Sequence, residues 1–294
     1  MRTQCVNGTV LHCIICSGAG HTLPNDNSAY SLGHSDSELT RLQKQAEFYA
    51  EFTRTVLLKA GLTPGMRVLD VGCGVGDVSM EAARIVGPTG AVVGIDQSEA
   101  ALVTASRRVS HAGLTQASFI RGDLAAEDGD NHFDAVIGRF ILLHLRNPAD
   151  ALCTLVKRVR SGGCVAFIEM DLTSAEACPQ LDVFDEAVGW IRDVYIREGV
   201  EIDMGSRLFS CFASLGMKPT LEAFQRIEGG AEAHVYEYLA ETVRSLMPRM
   251  VALGVASEAE IAVEQLAART KAAAQVGGQC FFYPRMVGAW ARKP

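Results

Sequence analysis

The chain is 294 residues long, 48% hydrophobic and 21% charged, enough to bury a core without disulfides or metal ions to hold it. A formal charge of -7 supplies no basic field to neutralise a phosphate backbone, which argues against nucleic acid as substrate. Nine cysteines at irregular spacings read as reduced thiols of a cytoplasmic protein rather than a disulfide framework, and no run approaches the roughly 18 apolar residues of a membrane-spanning helix.

Residues 1–27, rich in Cys, Gly, Asn and Thr, show neither helical nor strand period and read as a loose extension. "VLHCIIC" within them is short and interrupted by His12, a poor secretory leader. Cys13 and Cys16 are spaced C-x-x-C, but a zinc site needs about four ligands and only Cys5, His12 and His21 lie near; no metal is expected. From Ser35 the pattern becomes helical. Ser35 and Glu38 fit a capping box, and Leu39, Leu42, Ala46, Tyr49 and Phe52 recur at helical spacing, which predicts a helix over 38–60.

Short β-branched runs then alternate with helical stretches. Strands are expected at 66–71, 91–96, 117–122, 134–139 and 164–170, with helices near 77–87, 98–111 and 147–160. That alternation is the signature of a parallel sheet covered on both faces, a doubly wound α/β fold whose ligand lies at the carboxyl ends of the strands. Beyond it come helices at 181–198 and 204–215, a strand at 218–228, helices across 231–276 and the closing "PRMVGAWARK". The division expected is an extension over 1–27 and one domain over 28–294, with cap elements at about 28–60, 171–202 and 229–279.

The most informative stretch is "VLDVGCGVGDVS", residues 68–79. A dinucleotide fingerprint needs G-x-G-x-x-G after the first strand. Counted from Gly72 the third glycine position is Asp77; counted from Gly74 it is Ser79. Neither register matches, which disfavours a nicotinamide-dependent oxidoreductase. What stands there is Asp70, Gly72, Gly74 and Gly76, D-x-G-x-G-x-G, in which bare backbone can approach a ligand closely and the following helix offers its positive end to a carboxylate. At the end of the second strand Asp96 can accept two hydrogen bonds from a ribose diol, and after the third Asp123 can meet an amino group such as that of adenine. Singly, a strand-end Asp often only caps the next turn.

With "VVGIDQS", "RGDL", "FDAVIGRFILLHL", "VRSGGCVAFIEMD" and "MVGAWARKP", the loop resembles the class I S-adenosylmethionine-dependent methyltransferases, in particular the small-molecule group that includes the ubiquinone and menaquinone biosynthesis enzymes, over residues 30 to 294. The resemblance implies a Rossmann-like, mostly parallel seven-stranded sheet with helical cap insertions and an antiparallel last strand. It implies S-adenosylmethionine as methyl donor, with Gly72, Gly74 and Gly76 cradling its methionine part, Asp70 ordering the loop, and Asp96 on the ribose. Gln97 would flank the adenine, Asp123 and the Leu124 amide would read its edge, and Gly138 or Arg139 would lie near the reactive methyl. Tyr30 and His34, before a helix that closes over the cofactor in this group, are candidate contacts. "RSGG" replaces the usual "KPGG" before the fifth strand, and the Cys-rich extension has no counterpart in the pattern.

Methyl transfer from a sulfonium draws most of its acceleration from holding the nucleophile in line, and a general base is needed only for a weakly acidic acceptor. Candidates for that base are His144, after the fourth strand, and Glu169 and Asp171 at the end of the fifth. Arg139 could hold an anionic acceptor or pair with a neighbouring carboxylate. Aromatic residues of the cap favour a small, partly hydrophobic organic acceptor, with C-, O- and N-methylation all open and a homodimer compatible. A non-catalytic S-adenosylmethionine-binding regulator on the same fold is the alternative.

Overall fold

The computed structural model describes residues 36–123 and 132–294, with side chains from Phe48 onward. Tyr30, His34, Ser35, Leu124 and the extension over 1–27 lie outside the described residues. Seven strands build the main sheet: β1 (Arg67–Val71), β2 (Ala91–Asp96), β3 (Ala117–Arg121), β4 (Phe133–Arg139), β5 (Val159–Asp171), β7 (Thr220–Phe224) and β10 (Arg285–Arg292). Their order is β3-β2-β1-β4-β5-β10-β7, and only β10 runs against its neighbours. Strand order reverses between β1 and β4, and this switch point places a crevice at their carboxyl ends.

Helices cover both faces because the inner strands are apolar on both. One face packs Leu57 of α1 (Asp36–Lys59) and Val78, Ala82 and Val86 of α2 (Asp77–Val86) on Val68, Val92, Ala135 and Ile137. The other packs Leu152 and Leu155 of α4 (Pro148–Lys157) and Leu208 and Phe212 of α6 (Met204–Ser214) on Val136, Val165 and Phe167. Between β2 and β3 runs α3 (Glu99–His111), started by Ser98, whose side chain accepts from the Ala101 amide at 3.3 Å.

The cap differs from the sequence-based expectation in two ways. The strand expected over 218–228 is two: β7 ends at Phe224, the Gln225 side chain anchors the bend on the carbonyls of Ser174 and Tyr283 (3.0 and 2.9 Å), and β8 (Ile227–Gly229) joins another sheet. That second sheet, β6 (Glu176–Cys178) with β9 (Cys280–Phe282) and β8, is antiparallel; strands of three residues are too short to show a period. The helices expected across 231–276 are α7 (Val235–Ala252), α8 (Glu258–Ile261) and α9 (Val263–Gly277). Gly254 at φ +64 ends the first, and a capping box between Ser257 and Glu260 restarts the chain. With α5 (Asp182–Arg197) these elements bury Phe281 against Phe184 and Tyr236, ring centroids 5.0 and 5.5 Å apart.

Candidate active site

The loop after β1 turns through three glycines with φ of +65, +51 and +85 at Gly72, Gly74 and Gly76, a region L side chains rarely enter. Their surroundings differ. A Cβ on Gly72 would lie 2.5 Å from Ile141 Cδ1, and one on Gly76 would lie 3.0 Å from Ala105 Cβ. A Cβ on Gly74 would meet nothing within 4 Å among the described residues. Gly72 and Gly76 are therefore seated in the protein, whereas Gly74 is bare backbone beside open space.

Four side chains fix this loop. Asp96, at the end of β2, accepts from the Gly74 amide (2.8 Å) with one oxygen and from the Ser98 amide (2.9 Å) with the other, leaving lone pairs on both for further donors. Asp70 accepts from Ser79 Oγ of α2 at 2.5 Å. Burial pushes its carboxyl up to about 7, against the opposing pull of Ser79 and the Arg139 charge. Arg108 reaches back from α3 to the Val75 carbonyl and to Asp77, both at 2.6 Å. Gly94 on β2 has no positive φ, yet a Cβ there would sit 2.9 Å from Cys73 Sγ and 2.6 Å from Phe119. Nothing in the sequence sets Arg108 apart, and Gly94, though it falls within "VVGIDQS", is not singled out there, because both act through packing across the fold. Cys73 itself is buried, which drives its thiol far above the ordinary range and suits a packing residue rather than a nucleophile.

The second wall is the end of β4. Gly138 is buried, and a Cβ there would lie 2.7 Å from the Phe167 ring, so the glycine lets β5 approach. Arg139 is half-buried; desolvation lowers its pKa while Asp77 and Asp70 pull it back. It donates to Thr53 Oγ1 of α1 at 2.9 Å and makes no ion pair among the described residues. Phe140 follows at φ +56, a strained conformation for an aromatic residue of the kind that gathers at functional sites.

Glu169 explains how that strain is held. Fully buried on β5, it accepts from the next two amides, Ile141 (3.0 Å) and Leu142 (2.8 Å), through one oxygen, while Oε2 is buried without a partner among the described residues. Burial raises its carboxyl to about 8 despite these amides. It thus lies beneath the turn after β4 rather than open to solvent. Asp171 is equally enclosed. Burial alone would raise it, but hydrogen bonds from Ser206 Oγ (2.5 Å) and Thr173 and an ion pair with Arg285 (2.8 Å) hold it low. His144, in the same turn, is pushed down to about 4 by desolvation. Gln97 and Asp123 are exposed at the ends of β2 and β3.

Over this end of the sheet α1 meets the cap through an aromatic group. Phe48 packs against Tyr283 (centroids 5.0 Å) and Tyr238 (6.2 Å), Tyr49 against Phe140 (5.8 Å), and the Arg226 guanidinium lies 4.5 Å over the Phe48 ring. Tyr283 donates to Glu228 at 3.0 Å. Burial first, then the phenols of Tyr238 and Tyr283, raises the Tyr49 hydroxyl well above its usual value.

A reversed, mostly parallel seven-stranded sheet with one antiparallel strand, opened by a glycine loop and a strand-end acid, is the Rossmann-like fold of class I S-adenosylmethionine-dependent methyltransferases. The comparisons agree: residues 62–193 match the family model described as a methyltransferase domain. The ubiquinone/menaquinone biosynthesis C-methyltransferase UbiE of Ectopseudomonas mendocina is 35% identical over 112 residues, 37% of this chain and 44% of that protein. The 2-phytyl-1,4-naphtoquinone methyltransferase of Synechocystis is 34% identical over 112 residues, 37% of this chain and 47% of that one. The chain thus spans about half the length of these curated relatives. A crystal structure of the Bacillus subtilis YcgJ protein superposes with TM-score 0.55 at 14% identity, covering 83% of this chain and 99% of that one, a likeness of fold.

Proposed function

We propose that the chain transfers a methyl group from S-adenosylmethionine to a small, partly hydrophobic organic acceptor. The observation that carries the reading is the tie between Asp96 and the Gly74 amide, which brings an acid able to take a diol beside bare backbone where a Cβ would meet nothing among the described residues. The residues fit the donor. Gly74 leaves room for the methionine part, Gly72 and Gly76 let the loop that carries it close against Ile141 and Ala105, and Asp96 has lone pairs left for the ribose hydroxyls. Gln97 flanks the adenine, while Asp123 and the Leu124 amide read its edge. Gly138 would border the methionine end, and Tyr30 and His34 are kept as candidate contacts to the donor.

The donor supplies an electrophilic methyl on a sulfonium; the chain supplies position and charge. Arg139, without a carboxylate partner among the described residues, holds an anionic group. Phe140, backed by the buried Tyr49 ring, offers apolar surface to the acceptor. Glu169 acts as a positioning residue, since it fixes the Ile141 and Leu142 amides and with them the turn that carries Phe140. His144, neutral at physiological pH, is the side chain assigned to accept a proton when the acceptor must lose one. This chemistry belongs to a cytoplasmic enzyme.

The test is transfer of label from methyl-labelled donor to a panel of phenols, quinone precursors, isoprenoids and amines. Transfer by the wild type, reduced about 100-fold by Asp96→Ala through loss of two hydrogen bonds to a charged acceptor, supports the reading. Tight donor binding with no transfer to any acceptor favours the regulatory alternative, for which the enclosure of Glu169 and Asp171 speaks.

A further inference from the structure

Away from the crevice, the second sheet sets two cysteines against each other. In the pairing of β6 with β9, Glu176 faces Phe282, Ala177 faces Phe281, and Cys178 faces Cys280. Both are free thiols, Cys178 exposed and Cys280 half-buried. Directly opposed residues of an antiparallel pair have Cα atoms about 4.5–5.5 Å apart and side chains on the same face. That separation falls inside the roughly 4.4–6.8 Å of disulfides.

The faces separate the roles. Ala177 and Phe281 are buried on the core side, where Phe281 packs on Phe184 and Tyr236, so the alternate positions 178 and 280 stand on the other side. Cys73, Cys164 and Cys211 are buried elsewhere in the fold. We propose that Cys178 and Cys280 are a redox-responsive dithiol that closes into a disulfide on meeting a low-molecular-weight disulfide such as oxidised glutathione. This goes beyond methyl transfer and does not depend on it.

The exchange balances. One protein thiolate attacks the small disulfide, forming a mixed disulfide and releasing one small thiolate. The second protein thiolate then displaces the other. Two protein thiols are oxidised to one S–S bond, and one small disulfide is reduced to two thiols that carry the two protons away. Opposed Cβ atoms lie about 4.5–5.5 Å apart, against about 3.8 Å in a disulfide, so closure draws the two short strands together. A bond formed under such strain is the readily reduced kind that serves as a switch rather than a permanent staple. Its place matters. β6 starts soon after Asp171, and β9 runs into Tyr283 and then Arg285, the ion-pair partner of Asp171, so the clamp would tighten the strands that carry part of the aromatic wall.

The experiment uses the full chain, reduced, freed of reductant and equilibrated with oxidised glutathione, then alkylated and cleaved after glutamate. Residues 177–186 and 265–294 then carry Cys178 and Cys280 with no other cysteine. The expected result is a linked pair of these two peptides, lighter by two hydrogens than their sum, released by dithiothreitol. In Cys178→Ser the remaining Cys280 should instead end as a mixed disulfide. Recovery of both wild-type peptides alkylated, or linked to other cysteines, or trapped as stable glutathione adducts without closing, overturns the proposal.

Discussion

Asp96 and Gly74 form the smallest unit of the account, and two glycine substitutions separate its parts. At Gly72 an added Cβ meets both a left-handed backbone and the Ile141 side chain at 2.5 Å, so Gly72→Ala should lower the unfolding free energy by about 1–3 kcal/mol in a denaturant titration. At Gly74 the Cβ finds open space. Gly74→Ala should therefore cost only about 1 kcal/mol of backbone strain while weakening donor binding by a larger factor than Gly72→Ala does. Arg139 makes the opposite prediction. A half-buried guanidinium without an ion-pair partner among the described residues adds little stability, so Arg139→Met should leave the melting temperature unchanged or raised while cutting turnover of acidic acceptors at least about tenfold, the loss of one charged hydrogen bond. Asp70, Asp96 and the glycines were legible in the sequence because strand end, spacing and residue type are local properties. Arg108 and Gly94 were not, because their significance lies in contacts with Val75 and Asp77 and with Cys73 and Phe119, each made across the fold.

The turn after β4 shows what is settled by neighbouring elements rather than by local pattern. "DAVIGR" reads as a strand from its apolar run, but the left-handed Phe140 beyond it is held by Glu169 on β5, and no spacing rule connects 140 with 169. The same acid ties the turn to pH. Glu169 ionises near 4.5 in the unfolded chain and only near 8 in the fold, so between those values the unfolded state holds fewer protons and the fold loses stability as pH rises. Glu169→Gln removes that contribution. Its melting temperature should fall less steeply than the wild type's between pH 5 and 8, with Asp70, raised to about 7, supplying the slope that remains; parallel profiles would show that Glu169 is ionised in the fold. The second sheet was invisible in the sequence for another reason, since each of its strands has three residues and takes its shape from pairing.

At the scale of the whole molecule, alternation of strands and helices was enough to define the doubly wound sheet, because a parallel sheet buried on both faces demands long apolar strands and crossover helices. The cap was less legible: its helices are packed by Phe281, Tyr236 and Phe184, residues whose spacing suits core and pocket equally. On the proposed reading a donor in the crevice would touch the glycine loop and the turn after β4 together and should stabilise the fold as a unit, by about 2.7 kcal/mol at a hundredfold excess over Kd, a rise of several degrees in melting temperature. The most direct measurement is calorimetric titration of the full chain with S-adenosylhomocysteine. One binding site of micromolar affinity in the wild type, abolished by Asp96→Ala in a variant that still melts cooperatively, is the predicted result; a wild type that binds no S-adenosylhomocysteine contradicts the account.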